Sequence, residues 1–208
     1  MNSKRGLIVA VSGPSGVGKG TVLAIVEKWI EEECPGTVGH SISVTTRAPR
    51  GQEQDGVEYY FITKRRFEEM IEENGIVEYD MYVDNYYGTP AAPLEKMLGE
   101  GKDVLFDITI EGSLALRKRF PEDSVTIFIL PPSYEELESR LRGRGTEDDD
   151  KIAKRMEQAR HEIKRAGEFD YIVQNIDAEE TARQIKAIIN AEKLKNYRQQ
   201  EIIGNLDN

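Results

Sequence analysis

An α/β fold with a parallel central sheet is predicted by three observations. Short apolar runs, Leu7 to Val11, Val104 to Ile108, Val125 to Leu130 and Tyr171 to Val173, recur between segments of helical periodicity. The first run, Leu7 to Val11, is continuously apolar, as a strand covered by helices on both faces is. The stretches between them are long enough to hold crossover helices, which parallel neighbours need and which turn right-handed.

The elements follow in order. After Leu7 to Val11 and a glycine-rich turn, Val22, Leu23, Ile25, Val26, Trp29 and Ile30 recur at helical spacing from Gly20 to Glu33. They form one buried stripe. Cys34-Pro35-Gly36 ends that helix, because Pro35 disfavours helical geometry at Cys34 and Gly36 turns freely. Residues 41–93 differ in texture, with many Tyr, Gly and charged residues and only short alternating runs such as 42–44 and 59–62. This segment reads as a small mixed insertion carrying a helix from Lys64 to Glu73 that stops at Asn74-Gly75. A short helix from Ala92 to Glu100 ends at Gly101. Core texture then returns with the strands 104–108 and 125–130, separated by a helix from Gly112 to Arg119 and closed by Pro131-Pro132. Ser133 and Glu136 pair as a capping box for the next helix. Arg140 to Gly145 is a basic patch. Thr146 is expected to cap a helix whose first turn holds Glu147 to Asp150 and whose apolar face is Ile152, Met156, Ala159 and Ile163. A helix from Ala178 to Gln200 finishes the chain.

Composition narrows the function. The 208 residues carry 28 Lys+Arg against 38 Asp+Glu, a net charge of −10, which argues against a nucleic-acid duplex as partner. Cys34 is the only cysteine and cannot form an internal disulfide, which fits a reducing compartment. The apolar run Leu7 to Val11 is shorter than a signal-peptide core, and nothing approaches the length of a bilayer span. The expected location is the cytoplasm, with no membrane partner.

Gly13-Pro14-Ser15-Gly16-Val17-Gly18-Lys19 follows the first strand and opens the first helix, the context of a phosphate-binding loop. Without side chains at Gly13, Gly16 and Gly18 the backbone can wrap a polyphosphate, and Lys19 adds a positive charge. Gly20 stands where Ser or Thr is usual, and Thr21 comes next, so a direct hydroxyl ligand to Mg²⁺ is not assured. Asp107, at the end of a core strand, is placed to hold the metal through water.

The insertion supplies donors for a second phosphate. Arg47 and Arg50 lie three residues apart, and Tyr59 and Tyr87 bring phenol hydroxyls. Guanidinium forks match a phosphate dianion as lysine cannot.

With those residues in place, the chain resembles the guanylate kinase family over nearly its whole length. The resemblance rests on GPSGVGKGT, SVTTRAPR with a following glutamate, NYYGT, GKDVLFDI, IFILPPS, RLRGRGT and the final Asp-Tyr-Ile-Val-x-Asn. It implies an ATP:GMP phosphotransferase of the P-loop nucleoside-monophosphate-kinase fold, using Mg²⁺ with ATP. The implied divisions are a core of 1–40, 94–134 and 161–208, a GMP-binding insertion at 41–93, and a helical lid at 135–160. By resemblance, Arg47, Arg50, Tyr59 and Tyr87 are GMP phosphate ligands, and Ser43, Glu78 and Thr89 read guanine. Lys19 and the lid arginines Arg140, Arg144 and Arg155 are the catalytic cations, and Asn175 lies near adenine. Gly13 to Thr21 cradle ATP.

The chain departs from the family at Thr109, where the family has an aspartate that binds the guanine amino group, and at Glu111, where it has glutamine. Losing such a charged hydrogen bond costs roughly 1.5 to 3 kcal/mol, which implies relaxed discrimination against IMP. Arg142, His40 and His161 read as surface or structural residues. The alternatives are a kinase of another purine monophosphate and a non-catalytic phosphopeptide-binding module, against which the intact phosphate loop argues.

Overall fold

The computed structural model describes residues 5–143 and 148–200. Arg144, Gly145, Thr146 and Glu147 lie outside the described residues, and with them one expected catalytic arginine and the expected helix cap.

The main sheet has five strands: β1 (Ile8–Ser12), β2 (Val38–Gly39), β7 (Asp103–Asp107), β8 (Ser124–Leu130) and β9 (Tyr171–Gln174), in the order β2-β7-β1-β8-β9. Every pairing in it is parallel. β1 lies at its centre and is wholly buried. Its side chains alternate between two cores, as strand geometry requires. Val9 and Val11 pack with Val22, Val26 and Ile30 of α1 (Lys19–Glu33) and with Ile185 and Ile189 of α7 (Ala178–Lys193). Ile8 and Ala10 face Leu94 and Leu98 of α3 (Ala91–Gly99) and Leu116 of α4 (Ile110–Arg119). Helices on both faces explain why β1 reads as unbroken apolar sequence.

A second, four-stranded sheet is formed by β3 (Val44–Thr45), β4 (Tyr60–Phe61), β5 (Ile76–Tyr82) and β6 (Asn85–Pro90), in the order β4-β3-β6-β5. It covers α2 (Lys64–Glu72), which Thr63 caps by accepting from Arg66 N at 3.2 Å. Its core is small, centred on Val44, Phe67 and Ile76.

Five features differ from expectation. The sequence marks neither the two-residue β2 nor the β5–β6 hairpin as strands. Ser133 Oγ accepts from Glu136 N at 3.1 Å, but Glu136 turns its carboxylate to Arg140 Nε, so α5 (Tyr134–Gly143) has half a capping box. Asp148 caps α6 (Asp149–Lys164), accepting from Lys151 N at 2.9 Å. The terminal helix stops at Lys193, seven residues early. Arg198 instead folds back on the Glu122 carbonyl and Asp123, tying the chain end to the start of β8.

Candidate active site

The loop between β1 and α1 is held from beneath. Pro14 and Val17 are buried, so their contribution to a ligand site comes through the backbone. Gly13 has φ 153°, and a Cβ there would lie 2.4 Å from the Ile129 carbonyl oxygen. Gly18 is left-handed, with φ 99°, and a Cβ there would meet the Asn175 amide at 2.7 Å. Only glycine fits both places. No side chain caps α1 and its first turn holds no acid, so its N-terminal amides face a ligand site unneutralised.

Four cationic or polar side chains rest on this loop. Lys19 Nζ donates to Gly13 O at 2.8 Å and lies 3.6 Å from Asp107. Arg140 donates to the carbonyls of Val17 and Asn175, and Arg155 Nη1 donates to Ser15 Oγ at 2.9 Å. Asn175, only 5% exposed, donates its amide to Val17 O at 2.7 Å and accepts from Thr181. Its position braces the loop. Ser12 joins loop and sheet, with its hydroxyl 2.9 Å from Ile108 O and 2.8 Å from Ser113 Oγ.

A cavity of about 680 Å³ runs from this loop to the second sheet. Gly13, Ser15, Lys19 and Asp107 line one side, and Ser43, Glu78, Tyr87, Thr89 and Thr109 line the other. A recess of about 320 Å³ beside it is lined by Ser15, Gly16, Gly18, Gly20, Thr21 and Asp107. The structure therefore brings the expected loop, base-reading and strand-end residues to one space.

The expected phosphate ligands of the insertion stand at its margin. Arg47, Arg50 and Tyr59 do not line the cavity. Arg47 lies 5.4 Å from the Tyr59 ring, which meets the Tyr87 ring edge-on at 5.8 Å. Glu53 accepts from Arg47 Nη2 at 2.9 Å and from the Arg50 amide at 2.8 Å. That pairing raises the Arg47 guanidinium and lowers the Glu53 carboxyl relative to their ordinary values. Arg50 is exposed.

The end expected to read the base is built around Glu78. Thr89 Oγ1 donates to Glu78 Oε1 at 2.5 Å, so its one hydroxyl proton is engaged and Ser43 is left, of the two hydroxyls expected to read guanine. Burial pushes the Glu78 carboxyl above its ordinary value, and nearby Asp80 adds to the shift against the Thr89 bond. Gly112 lies beneath this end, where a Cβ would meet the Ile108 side chain at 2.6 Å and Glu78 Oε2 at 3.3 Å. Thr109 lines the cavity but also caps α4, its Oγ1 accepting from Gly112 N at 3.2 Å. Glu111 pairs with Arg165, which lowers its carboxyl, so it is not free to replace the missing aspartate.

Several lining residues escaped sequence reasoning. Gln158, His161, Glu162 and Arg165 form a wall of the cavity, at the spacing of one helical face of α6. His161 is exposed at this wall, in keeping with a surface reading. His40 is exposed and pairs with Glu27, and Arg142 pairs with Glu138 and Asp149, as a surface role implies. Asp80 also lines the cavity, and its two-residue spacing from Glu78 was the available signal.

Comparison with known proteins gives a consistent result. The guanylate kinase family model matches residues 4–192. A guanylate kinase of Halalkalibacterium halodurans is 44% identical over 198 residues, covering 95% of this chain and 94% of its own. One from Paramagnetospirillum magneticum is 44% identical over 197 residues, covering 95% and 90%. The crystal structure of guanylate kinase from Anaplasma phagocytophilum superposes with a TM-score of 0.68 at 33% identity, covering 95% of this chain and 92% of that one.

Proposed function

The chain belongs to the guanylate kinase family, and from that premise we propose that it transfers the γ-phosphoryl group of ATP to GMP, giving ADP and GDP. The observation that carries this reading is the single cavity joining Gly13, Ser15 and Lys19 to Ser43, Glu78, Tyr87 and Thr89. Residues 13–21 hold the donor phosphates on backbone amides. Arg47, Arg50, Tyr59 and Tyr87 hold the acceptor phosphate once it draws Arg47 from Glu53. Ionised Glu78 takes N1–H and the 2-amino group of guanine, and Ser43 donates to O6. Thr89 fixes Glu78, and Thr109 keeps its hydroxyl proton for the ligand.

Phosphoryl transfer calls for placement and charge compensation. Lys19, Arg140 and Arg155 surround the position of the transferring group, and Arg144 joins them from the lid at 135–160. The insertion at 41–93 and the lid close toward the core of 1–40, 94–134 and 161–208, excluding water that would otherwise take the phosphoryl group. Asn175 supports the donor side by bracing Val17.

The donor set suits a magnesium ion that arrives with ATP. Asp107 and Thr21 present hard oxygens to the recess beside Lys19, and among the described residues no group of three His, Cys, Asp or Glu could hold a metal. An ion bound mainly by phosphates and water needs no such cage. Asp107, through water, and Thr21 would hold Mg²⁺, which neutralises charge on the donor phosphates. None of the described helices is long and apolar enough to cross a membrane, in keeping with the cytoplasmic placement proposed here.

Thr109 favours a second reading in one respect, a weaker preference against IMP. Coupled assays with ATP, Mg²⁺ and GMP, IMP or AMP test both. GMP is expected to be the best acceptor, and Thr109→Asp is expected to widen the margin over IMP. ADP formation no faster with GMP than without an acceptor contradicts the main reading, and an unchanged IMP margin contradicts the second.

A further inference from the structure

The β5–β6 hairpin places a carboxylate that neither phosphate binding nor guanine binding uses. Glu78 and Asp80 alternate on one face of β5 and both line the cavity, whereas Tyr79 turns away to pack edge-on against Phe67 and Tyr86. The register sets Asp80 opposite Tyr87, and Glu78 is bonded to Thr89. The Glu78–Thr89 pair marks the base end of the acceptor cavity, and Tyr87 with Arg47 and Tyr59 behind it marks the phosphate end. β5 is the sheet edge, with Tyr87 separating it from the β3 side where Arg47 stands. A nucleotide laid from the first group to the second passes Asp80 with its sugar.

The chemistry of the side chain fits that place. A carboxylate has no proton to offer a phosphate dianion and repels it, but its two oxygens can accept from two neighbouring hydroxyls. Met81 N donates to Asp80 Oδ1 at 2.7 Å, which orients the group. Among the described residues nothing donates to Oδ2, and neither Asp80 nor Glu78 has an ion-pair partner. The upward push that Asp80 exerts on Glu78 agrees with their sharing the cavity. We propose that Asp80 accepts hydrogen bonds from the ribose hydroxyls of the acceptor nucleotide and so sets a preference for ribonucleotide over 2′-deoxyribonucleotide. The proposal rests on the acceptor assignment above and extends it from base and phosphate to sugar.

The test compares kcat/KM for GMP, dGMP and IMP, with ATP and Mg²⁺, in the wild type, Asp80→Ala and Asp80→Asn. The wild type is expected to prefer GMP over dGMP by about tenfold, the scale of one hydrogen bond to a charged group. Asp80→Ala should bring that ratio to within about twofold and leave the ratio of GMP to IMP unchanged. Asp80→Asn, which keeps the side-chain shape and one acceptor oxygen, should fall between. A GMP-to-dGMP ratio that both variants leave intact overturns the proposal. So does a change confined to the GMP-to-IMP ratio, which would give this carboxylate to the base. Absence of turnover with GMP and dGMP alike would strike down the acceptor assignment, and this proposal with it.

Discussion

In the donor loop Lys19, Arg140 and Asn175 all rest on backbone carbonyls, whereas in the insertion Arg47 rests on Glu53 and Thr89 on Glu78. The donor loop is also pinned by Pro14 and Val17 to the main core, while the insertion sheet closes over little more than Val44, Phe67 and Ile76. One region is shaped before any ligand arrives. The other holds Arg47 on an internal acid that the acceptor phosphate must displace, with Glu78 steadied by Thr89. This difference separates the two half-sites energetically, so damage to one should leave binding at the other largely intact.

The sharpest way to break the comparison is at the donor side. Lys19→Met should lower kcat by about 10³- to 10⁵-fold, the range for a cation that stabilises a transferring phosphoryl group. GMP binding measured by calorimetry should change little. Parallel loss of GMP binding would show that the half-sites are not independent.

Next is the small core of the insertion. Phe67 is fully buried and stacks on Tyr86 at 4.9 Å. Phe67→Ala should destabilise the insertion by roughly 3 to 5 kcal/mol and raise the KM for GMP, with ATP affinity retained. Hydrogen exchange should show the loss of protection confined to residues around 44–90. Protection lost equally in β1 would contradict a separate core.

A smaller effect is expected at Glu78. Glu78→Gln removes a charged acceptor and should weaken GMP by about 10- to 100-fold, the fold-change of roughly 1.5 to 3 kcal/mol. The pH dependence has two opposite signs. Because the folded protein holds the Glu78 carboxyl above its ordinary value of 4.5, its contribution to the unliganded fold is present below that value. The contribution is lost as pH rises through the raised one. GMP needs the ionised form, so KM for GMP should fall over the same rise in pH, and Glu78→Gln should flatten that profile. A Glu78→Gln variant that keeps the wild-type pH dependence of KM would remove Glu78 from base reading.

The smallest effect concerns Thr109. Thr109→Ala should cost about 1 kcal/mol of stability through the lost helix cap, whereas Thr109→Asp keeps a cap and should be near neutral. Equal thermal midpoints for the two variants would deny the capping role.

The same contrast explains what could be read from the sequence. β1 and α1 were legible because burial on both faces leaves unbroken apolar runs and helical stripes. The hairpin was not. Ile76–Tyr82 mixes polar and apolar residues with its burial concentrated at one end, and its turn places Val83 and Asp84 at φ 46° and 61°, where Asn-Gly or Asp-Gly would have signalled it. The early stop at Lys193 was hidden because residues 194–200 remain good helix formers, and Arg198 is claimed by distant partners. At the site, the loop and the phosphate donors Arg47, Arg50, Tyr59 and Tyr87 followed from chemistry, and the reading of guanine by Glu78 from resemblance. That the Thr89 proton goes to Glu78, or that Gln158 and His161 face the acceptor, depends on tertiary placement that no local pattern encodes.

The central claim is that donor and acceptor nucleotides lie end to end in one cavity. Titration with an adenosine–pentaphosphate–guanosine conjugate tests it most directly. One conjugate should bind per chain, far more tightly than GMP alone, and both ATP and GMP should compete with it. Competition by only one of the two nucleotides, or two conjugates bound per chain, would contradict it.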